Sequence, residues 1–517
     1  MRVLQLGSED WNQRYKIPAE IEWNFNNFPE PDKVVIKHGT TKKIPARGYE
    51  IVIITGKTNL TKENWKKLQW MVNPYNVLYL PAVRNLLDEP AQKFLTCQAA
   101  QEINEDPQTL IDHLQSRYFS GQSGIRIFPT NISLNENSIK KFSYLDSGHM
   151  KLFINSSNKW SSIGSYRNSL YIDTNRLIKL WLEFQSVGVQ IRLKVFVQAN
   201  GGDGDPKDNI ILNIDYNSAD EIQLPLKPDS NARYACIIIE AKGKGNLILG
   251  ILHSRWSREK YGEFFTGGKR LVNVGKHEDI AYYFNPGDLK PPLNVYFSGA
   301  RSLEGFEAFP LFRSLHAPAL LFTDMRLSMG QFYDDQADVM GEKIKATILE
   351  TLRKLHFDRS QLIMSGISMG TYPALKYGAQ LSPYMINVAK PLGNLGYLAA
   401  RSRLQRPDEF DTIFDIDHQL IGKQINTQNL KHLDEKFWQK FDQADLSKTR
   451  LFIGYMKNDD YDNQAIEKLK KSPAVAKAAQ FSYKGYLGRH NDDPAVNYWF
   501  IGRIKQVLKD DFGRKLE

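Results

Sequence analysis

Gly366-Ile367-Ser368-Met369-Gly370 is a full match to G-x-S-x-G. It stands between a short apolar run, Leu362-Ile363-Met364, and a helix-capable stretch carrying Ala374, Leu375 and Tyr377. A strand, a sharp turn and a helix in that order raise a serine on a bend so tight that the flanking positions need little or no side chain. The helix N-terminus beneath the bend favours negative charge. The chemistry this pattern offers is attack by a serine hydroxyl, which needs a base and an acid to orient that base.

In the α/β-hydrolase arrangement the partners follow the serine in the order acid, then histidine. Three of the ten histidines lie after Ser368. His418 and His432 sit in polar, helix-like sequence and read as surface residues. His490 follows an alternating stretch, Ala479 to Tyr483, and the glycine-punctuated loop GYLGRHNDDP, where a sheet presents catalytic groups. Asp493-Pro494 reads as the N-cap and first residue of the helix after it. The acid belongs on the loop after the strand Leu451 to Met456. Asp459 is at the usual distance from the strand end, Asp460 is nearly as well placed, and Asp462 reads as a cap for the next helix. An oxyanion hole would use the backbone N–H of Met369 and a second donor near Ala300, in the small-residue loop Ser298-Gly299-Ala300 after the strand Leu293 to Phe297.

The elements that must hold these residues divide the chain in three. Residues 1–113 read as a small α/β domain, with strands at Val3 to Leu6, Val34 to Ile36, Ile51 to Ile54 and Val77 to Leu80. A helix fits Leu60 to Met71, capped by Asn59 or Thr61. Residues 114–258 alternate with period two, most clearly at Val189, Ile191, Leu193, Val195 and Val197, as a β-sandwich does. Trp160, Tyr166, Tyr171, Trp181 and Trp256 serve core packing for the most part, and a glycan-binding use of this domain is the functional alternative. The loop Gly201 to Asp208 reads as a hairpin turn in preference to a calcium loop. From 259 to 517 strands alternate with helices, including one from about Asp335 to Leu355 with Met340, Ile344, Ile348 and Leu352 on one face. A long insertion at about 391–450 reads as a cap over the serine. The fold class expected is α/β: a C-terminal α/β-hydrolase-like catalytic domain, a central β-sandwich and a small N-terminal α/β domain.

A chain of 517 residues exceeds what one core supports. Its two cysteines, Cys97 and Cys236, fit no metal spacing and read as reduced core thiols of a cytosolic protein. No secretory leader and no bilayer-length apolar run are seen. The net charge is +10, and short basic clusters such as Arg401 to Arg406 and Lys468 to Lys471 read mostly as solvated faces, with contact to anionic lipid or an acidic partner as the lesser alternative. No nucleic-acid-binding signature accompanies the charge, so no nucleic acid is expected.

LQLGSEDWNQRYKIPAEIEWNF at the start, GISMGTYPALKYGA, YMKNDDYD and GYLGRHND together resemble the family of second accessory secretory proteins of the accessory Sec system of Gram-positive bacteria, and the likeness runs over essentially the whole chain. The resemblance implies a cytoplasmic protein that works with the other two accessory secretory proteins and an accessory SecA motor to export serine-rich-repeat glycoprotein adhesins. It implies O-acetyl transfer to N-acetylglucosamine on the adhesin, with the family's catalytic residues falling on Ser368, His490 and either Asp459 or Asp460. It calls for no bound cofactor or metal and leaves the acetyl donor open. Two readings of other classes stand beside it: a serine esterase of a small ester, and an export scaffold with a secondary active site.

Overall fold

The computed structural model describes residues 1–28, 33–37, 40–44, 48–156, 158–173, 175–199, 208–225, 233–405, 413–422, 425–492 and 494–515. They form two compact units. The first comprises Met1–Gly121, Ser257–Gly268 and Asn285–Leu289. Its sheet is five-stranded and parallel, in the order Glu22–Phe25, Arg2–Leu6, Ile51–Ile54, Val77–Tyr79, Gln101–Glu102. Its central strands are apolar throughout because both faces are covered: Leu4, Leu6, Val52 and Ile54 enter one cluster, and Val3, Ile51 and Ile53 enter another. Thr61 caps the helix Lys62–Met71 by accepting the Asn64 N–H at 3.2 Å. The expected strand at Val34 to Ile36 lies outside this sheet, since Lys33–Lys37 pairs with Thr40–Ile44 as a separate hairpin. The unit runs past residue 113 to Gly121 because the helix Pro107–Arg117 spans that point. Arg117 at its end binds Glu105 and Glu259, and Arg258 donates to the carbonyls of Arg117, Phe119 and Gly121. Cys97 is buried in this unit, whereas Cys236, in the other, is exposed: its neighbours Ala235 and Ile237 take the inward positions of an alternating strand.

The second unit joins the β-rich segment and the C-terminal α/β segment in one compact body. In the β-rich part ten strands form a single hydrogen-bonded sheet where two stacked sheets are expected. Its two longest strands, Leu177–Ala199 and Arg233–Ser257, are continuous and pair with most of the others. Their alternating apolar residues, Val189 to Val197 among them, meet in one core. Tyr166 and Trp181 are buried, but Tyr171 is exposed, edge-on to Tyr234 across the strand pair. The loop 201–207 lies outside the described residues.

The α/β part is an eight-stranded sheet. Its strands are β1 (Lys269–Asn273), β2 (Glu278–Asn285), β3 (Leu293–Phe297), β4 (Ala319–Asp324), β5 (Leu362–Ile367), β6 (Met385–Ala389), β7 (Arg450–Met456) and β8 (Gln480–Tyr486). They lie in the order β1-β2-β4-β3-β5-β6-β7-β8, with β4 to β8 parallel. The helix with the apolar stripe runs Val339–Leu355, and Met340, Ile344, Ile348 and Leu352 are buried as their spacing requires. Asp335, expected as its first residue, caps it instead: its carboxylate accepts the N–H groups of Val339 and Met340.

The two parts of this unit are joined by buried charge. Arg255 donates to Asp279 at 2.6 and 2.9 Å, to Glu304 at 2.6 Å and to Glu221 at 3.1 Å. His253 lies between Glu183 and Glu304. Burial alone would push its imidazole down, but the two carboxylates raise it to about 9, so it is a cation at neutral pH.

The insertion between β6 and β7 holds the helices Leu395–Gln405, Ile413–Ile421 and Thr427–Asp442. His418 and His432 lie on the second and third, His418 partly exposed and 3.4 Å from Asp146, His432 exposed. Asp417 is fully buried, and neither carboxylate oxygen finds a hydrogen-bond partner among the described residues. Burial, with the charge of Asp434 added, holds its carboxyl well above the ordinary aspartate value. A carboxyl raised in the folded state loses stability as pH climbs past the unfolded value of about 3.9. Asp417→Asn should therefore move the urea-unfolding midpoint upward at pH 7, with the gain shrinking as pH is lowered towards 4. An equal or lower midpoint at pH 7 would contradict this.

Removing the buried cation should have the opposite sign. Arg255→Met leaves Glu304 and Asp279 buried without their guanidinium and should cost about 3–5 kcal/mol in the same unfolding experiment.

Candidate active site

The elbow is built by backbone approaching backbone. β5 pairs in parallel with β3 so that Gly366 lies opposite Phe297. A Cβ on Gly366 would sit 2.1 Å from the Gly370 carbonyl oxygen, and one on Gly370 would sit 2.0 Å from that of Phe297. Neither space admits a methyl group, which is why both flanks of the serine are glycine. Ser368 has a φ of 54°, in the left-handed region that costs a non-glycine residue about 1–3 kcal/mol. The helix Thr371–Leu381 follows, buried along nearly its whole length between the sheet and the insertion, where Tyr372 stacks on Phe437 at 4.8 Å. The insertion thus packs along the elbow helix, and Ser368 keeps part of its surface exposed.

Ser368 Oγ lies 2.9 Å from His490 Nε2. His490 Nδ1 lies 2.9 Å from Asp459 Oδ2 and 3.2 Å from Oδ1. A ring nitrogen facing a carboxylate carries the proton, which leaves Nε2 as the acceptor for the serine hydroxyl. The side chains of His490 and Asp459 are 1% and 5% exposed. Burial would push the Asp459 carboxyl up. The hydrogen bond from His490, with the N–H groups of Tyr461 and Asp462, holds it below the ordinary value, so it is ionised at neutral pH.

The structure separates the three aspartates expected as alternatives. Asp459 takes the imidazole. Asp460 accepts the backbone N–H of His490 at 3.0 Å and so holds the loop and not the ring. Asp462 accepts the N–H of Ala465 at 3.1 Å at the start of the next helix and also the N–H groups of Gly393 and Asn394, both at 2.8 Å. It caps one helix and pins the root of the insertion together. The helix after His490 begins at Ala495, so Pro494 precedes it and is not its first residue; Asp493 lies outside the described residues. Tyr461, which no sequence signal singles out, stacks on the His490 ring at 4.3 Å and 16°.

The loop after β3 reaches the elbow as well. The Gly299 Cβ position is 3.3 Å from the Ile367 carbonyl oxygen, one residue before the serine. The Gly299 N–H is taken by Glu307 Oε2 at 2.9 Å and the Arg301 N–H by Met329 O at 3.4 Å. Ala300 lies between them, and Met369 follows the nucleophile with its side chain buried. Among the described residues, no group of three or more His, Cys, Asp or Glu side chains has the geometry to hold a metal.

The chain is similar to known proteins along its whole length. The family model described as "Accessory Sec system GspB-transporter" matches residues 1–514. The second accessory protein of the accessory Sec system of Staphylococcus aureus is 34% identical over 524 residues, covering 99% of this chain and 97% of that protein. Its counterpart in Streptococcus gordonii is 33% identical over 518 residues, covering 100% of this chain and 99% of that one. Among solved structures, a chain of the glycosylation-associated protein (Gap123) complex of Streptococcus agalactiae superposes with a TM-score of 0.86 at 30% identity, covering 100% of this chain and 99% of that chain.

The geometry predicts unequal consequences for the two neighbouring carboxylates. Asp459→Asn should slow phosphonylation of Ser368 by a fluorophosphonate by roughly 10³–10⁴-fold, because the imidazole loses its tautomer and its counter-charge. Asp460→Asn, which leaves the Asp459 carboxylate on the imidazole, should slow it far less. Intact-mass time courses measure both, and equal losses would contradict the assignment.

Proposed function

Because the chain belongs to the family of second accessory secretory proteins of the accessory Sec system, we propose that it is both a component of that export system and a serine-nucleophile O-acetyltransferase with an α/β-hydrolase-like catalytic domain. The observation that carries the enzymatic half is the continuous relay Ser368–His490–Asp459 on a strained elbow. The whole-length match to accessory Sec relatives supports the other half. The strand order, with Ser368 after β5, Asp459 after β7 and His490 after β8, supports the hydrolase-like reading.

In this reading Ser368 Oγ attacks the acetyl carbonyl of a donor while His490 Nε2 takes its proton. The N–H groups of Met369 and Ala300 receive the oxyanion of the tetrahedral intermediate. The intermediate collapses to acetyl-serine as the donor's leaving group departs with the proton from His490. A hydroxyl of N-acetylglucosamine on a serine-rich-repeat adhesin then attacks the acetyl carbon, again deprotonated by His490, and the serine is released. Asp459 stabilises the imidazolium formed in each half. The partners are the other two accessory secretory proteins and the accessory SecA motor, at the cytoplasmic face of the membrane. No helix among the described residues is long and apolar enough to cross a bilayer.

Ser368→Ala should abolish acetylation of the adhesin glycan, read by mass spectrometry of the exported protein, while the complex with the other accessory proteins still co-purifies. Acetylation that persists would overturn the enzymatic half. Release of acetate at a rate indifferent to added sugar acceptor would replace transfer with simple ester hydrolysis. Loss of the complex in a folded Ser368→Ala protein would contradict the separation of the two roles.

A further inference from the structure

We propose that Arg126, which belongs to the β-rich part and not to the catalytic sheet, is a positioning residue for the oxyanion loop. The inference rests on the acyl-transfer reading above. The side chain of Arg126 is 3% exposed. Its Nε donates to the Met325 carbonyl at 2.7 Å, and its Nη1 reaches the carbonyls of Arg301, Ser302 and Ser328 at 2.9, 3.0 and 2.7 Å. These carbonyls come from two loops. Arg301 and Ser302 directly follow Ala300 in the loop after β3; Met325 and Ser328 stand in the loop after β4, whose Met329 carbonyl accepts the Arg301 N–H. One planar guanidinium, with donors in a fixed fork, therefore sets the spacing of both loops.

The grip continues along the same edge of the β-rich part. Arg126 stands opposite His253 across an antiparallel strand pair, and His253 holds Glu304. The Glu304 N–H donates to the Gly124 carbonyl at 3.2 Å. Gln122 bonds both the N–H and the carbonyl of Phe306, at 2.6 and 3.1 Å. Every second residue of 122–126 thus holds the segment 301–306. The catalytic sheet holds it at fewer points: just before the segment Ser298 N–H donates to Phe322 O at 3.1 Å, and near its far end the Thr323 hydroxyl on β4 donates to the Gly305 carbonyl at 2.9 Å. An oxyanion hole works only if its donors are in place before charge develops, and a displacement of about 1 Å costs on the order of a hundredfold in rate. Lysine cannot replace the fork, because a single ammonium has no rigid pair of donor directions.

The test compares wild type, Arg126→Lys and Arg126→Met, with Ser368→Ala as the blank. Turnover of p-nitrophenyl acetate is separated into kcat and KM, active sites are counted with a fluorophosphonate, and hydrogen–deuterium exchange is followed in peptides covering 298–304 and 325–330. The expected result per titrated site is a kcat lowered about ten- to hundredfold in Arg126→Met. Arg126→Lys should lie between, KM should stay within about twofold, and exchange should quicken in both loops. Unchanged kcat in variants whose loops exchange faster would overturn the positioning role. So would a loss of rate matched by an equal loss of titratable sites, since that is unfolding alone. A wild type with no Ser368-dependent turnover or labelling would instead break the acyl-transfer reading and leave Arg126, if the loops loosen, as a purely structural clamp.

Discussion

The constraint on which the rest depends is the contact of two peptide backbones where β5 turns into the elbow helix. Gly366 meets the Gly370 carbonyl and Gly370 meets the Phe297 carbonyl, both at distances that exclude a side chain. That crowding holds Ser368 in a left-handed conformation it would not choose, and the packed sheet on either side sustains it. The serine stands where it does because β3 and β5 are adjacent and in register. The acid and base stand within reach because β7 and β8 continue the same parallel sheet. Their loops are tied by backbone bonds from Lys457 to Tyr486 and from Asn458 to Gly488.

A second level of organisation is electrostatic. His253, Arg255 and Arg126 meet Glu183, Glu221, Asp279, Glu304 and a set of backbone carbonyls with almost no exposure to water. Apolar packing of the same volume could be as stable, since desolvating so many ions is costly. What charge adds is direction: each guanidinium accepts only one arrangement of its partners. That specificity falls on the segment between β3 and β4, which makes the β-rich part a structural member of the candidate catalytic site. Removing 114–258 would take Arg126 and His253 with it, so such a deletion cannot isolate a glycan-holding role.

Much of the second unit was legible along the chain because its signals are local. A G-x-S-x-G turn between an apolar strand and a helix, an apolar stripe at Met340, Ile344, Ile348 and Leu352, and strict alternation from Val189 to Val197 each depend on near neighbours in sequence. The illegible features depend on distant ones. Asp335 has the position of a first helical residue and acts as a cap because its carboxylate turns back onto Val339 and Met340. Lys33–Lys37 has the composition of a core strand but, among the described residues, pairs with Thr40–Ile44 as a separate two-stranded sheet. Cys236 reads as apolar but occupies the outward phase of its strand.

By itself the sequence singled out Ser368 as the candidate nucleophile and His490 as its candidate base, and the structure brings the two together. The sequence could single them out because the elbow pattern encodes a steric requirement that only glycine meets, and because acid and base follow in a set chain order on strand-terminal loops. It also carried the family likeness. It could not choose between Asp459 and Asp460, which are adjacent and equally charged, with Asp459 only slightly better placed after the strand end. Only the tertiary structure decided that, by the pitch of one loop: it turns the Asp459 carboxylate to the imidazole Nδ1 and the Asp460 carboxylate to the backbone N–H of the same histidine. The role of Arg126 lay equally out of reach, because its partners are carbonyl oxygens about 175 to 200 residues away. Every residue has a carbonyl oxygen, so nothing in side-chain identity marks which ones an arginine will find.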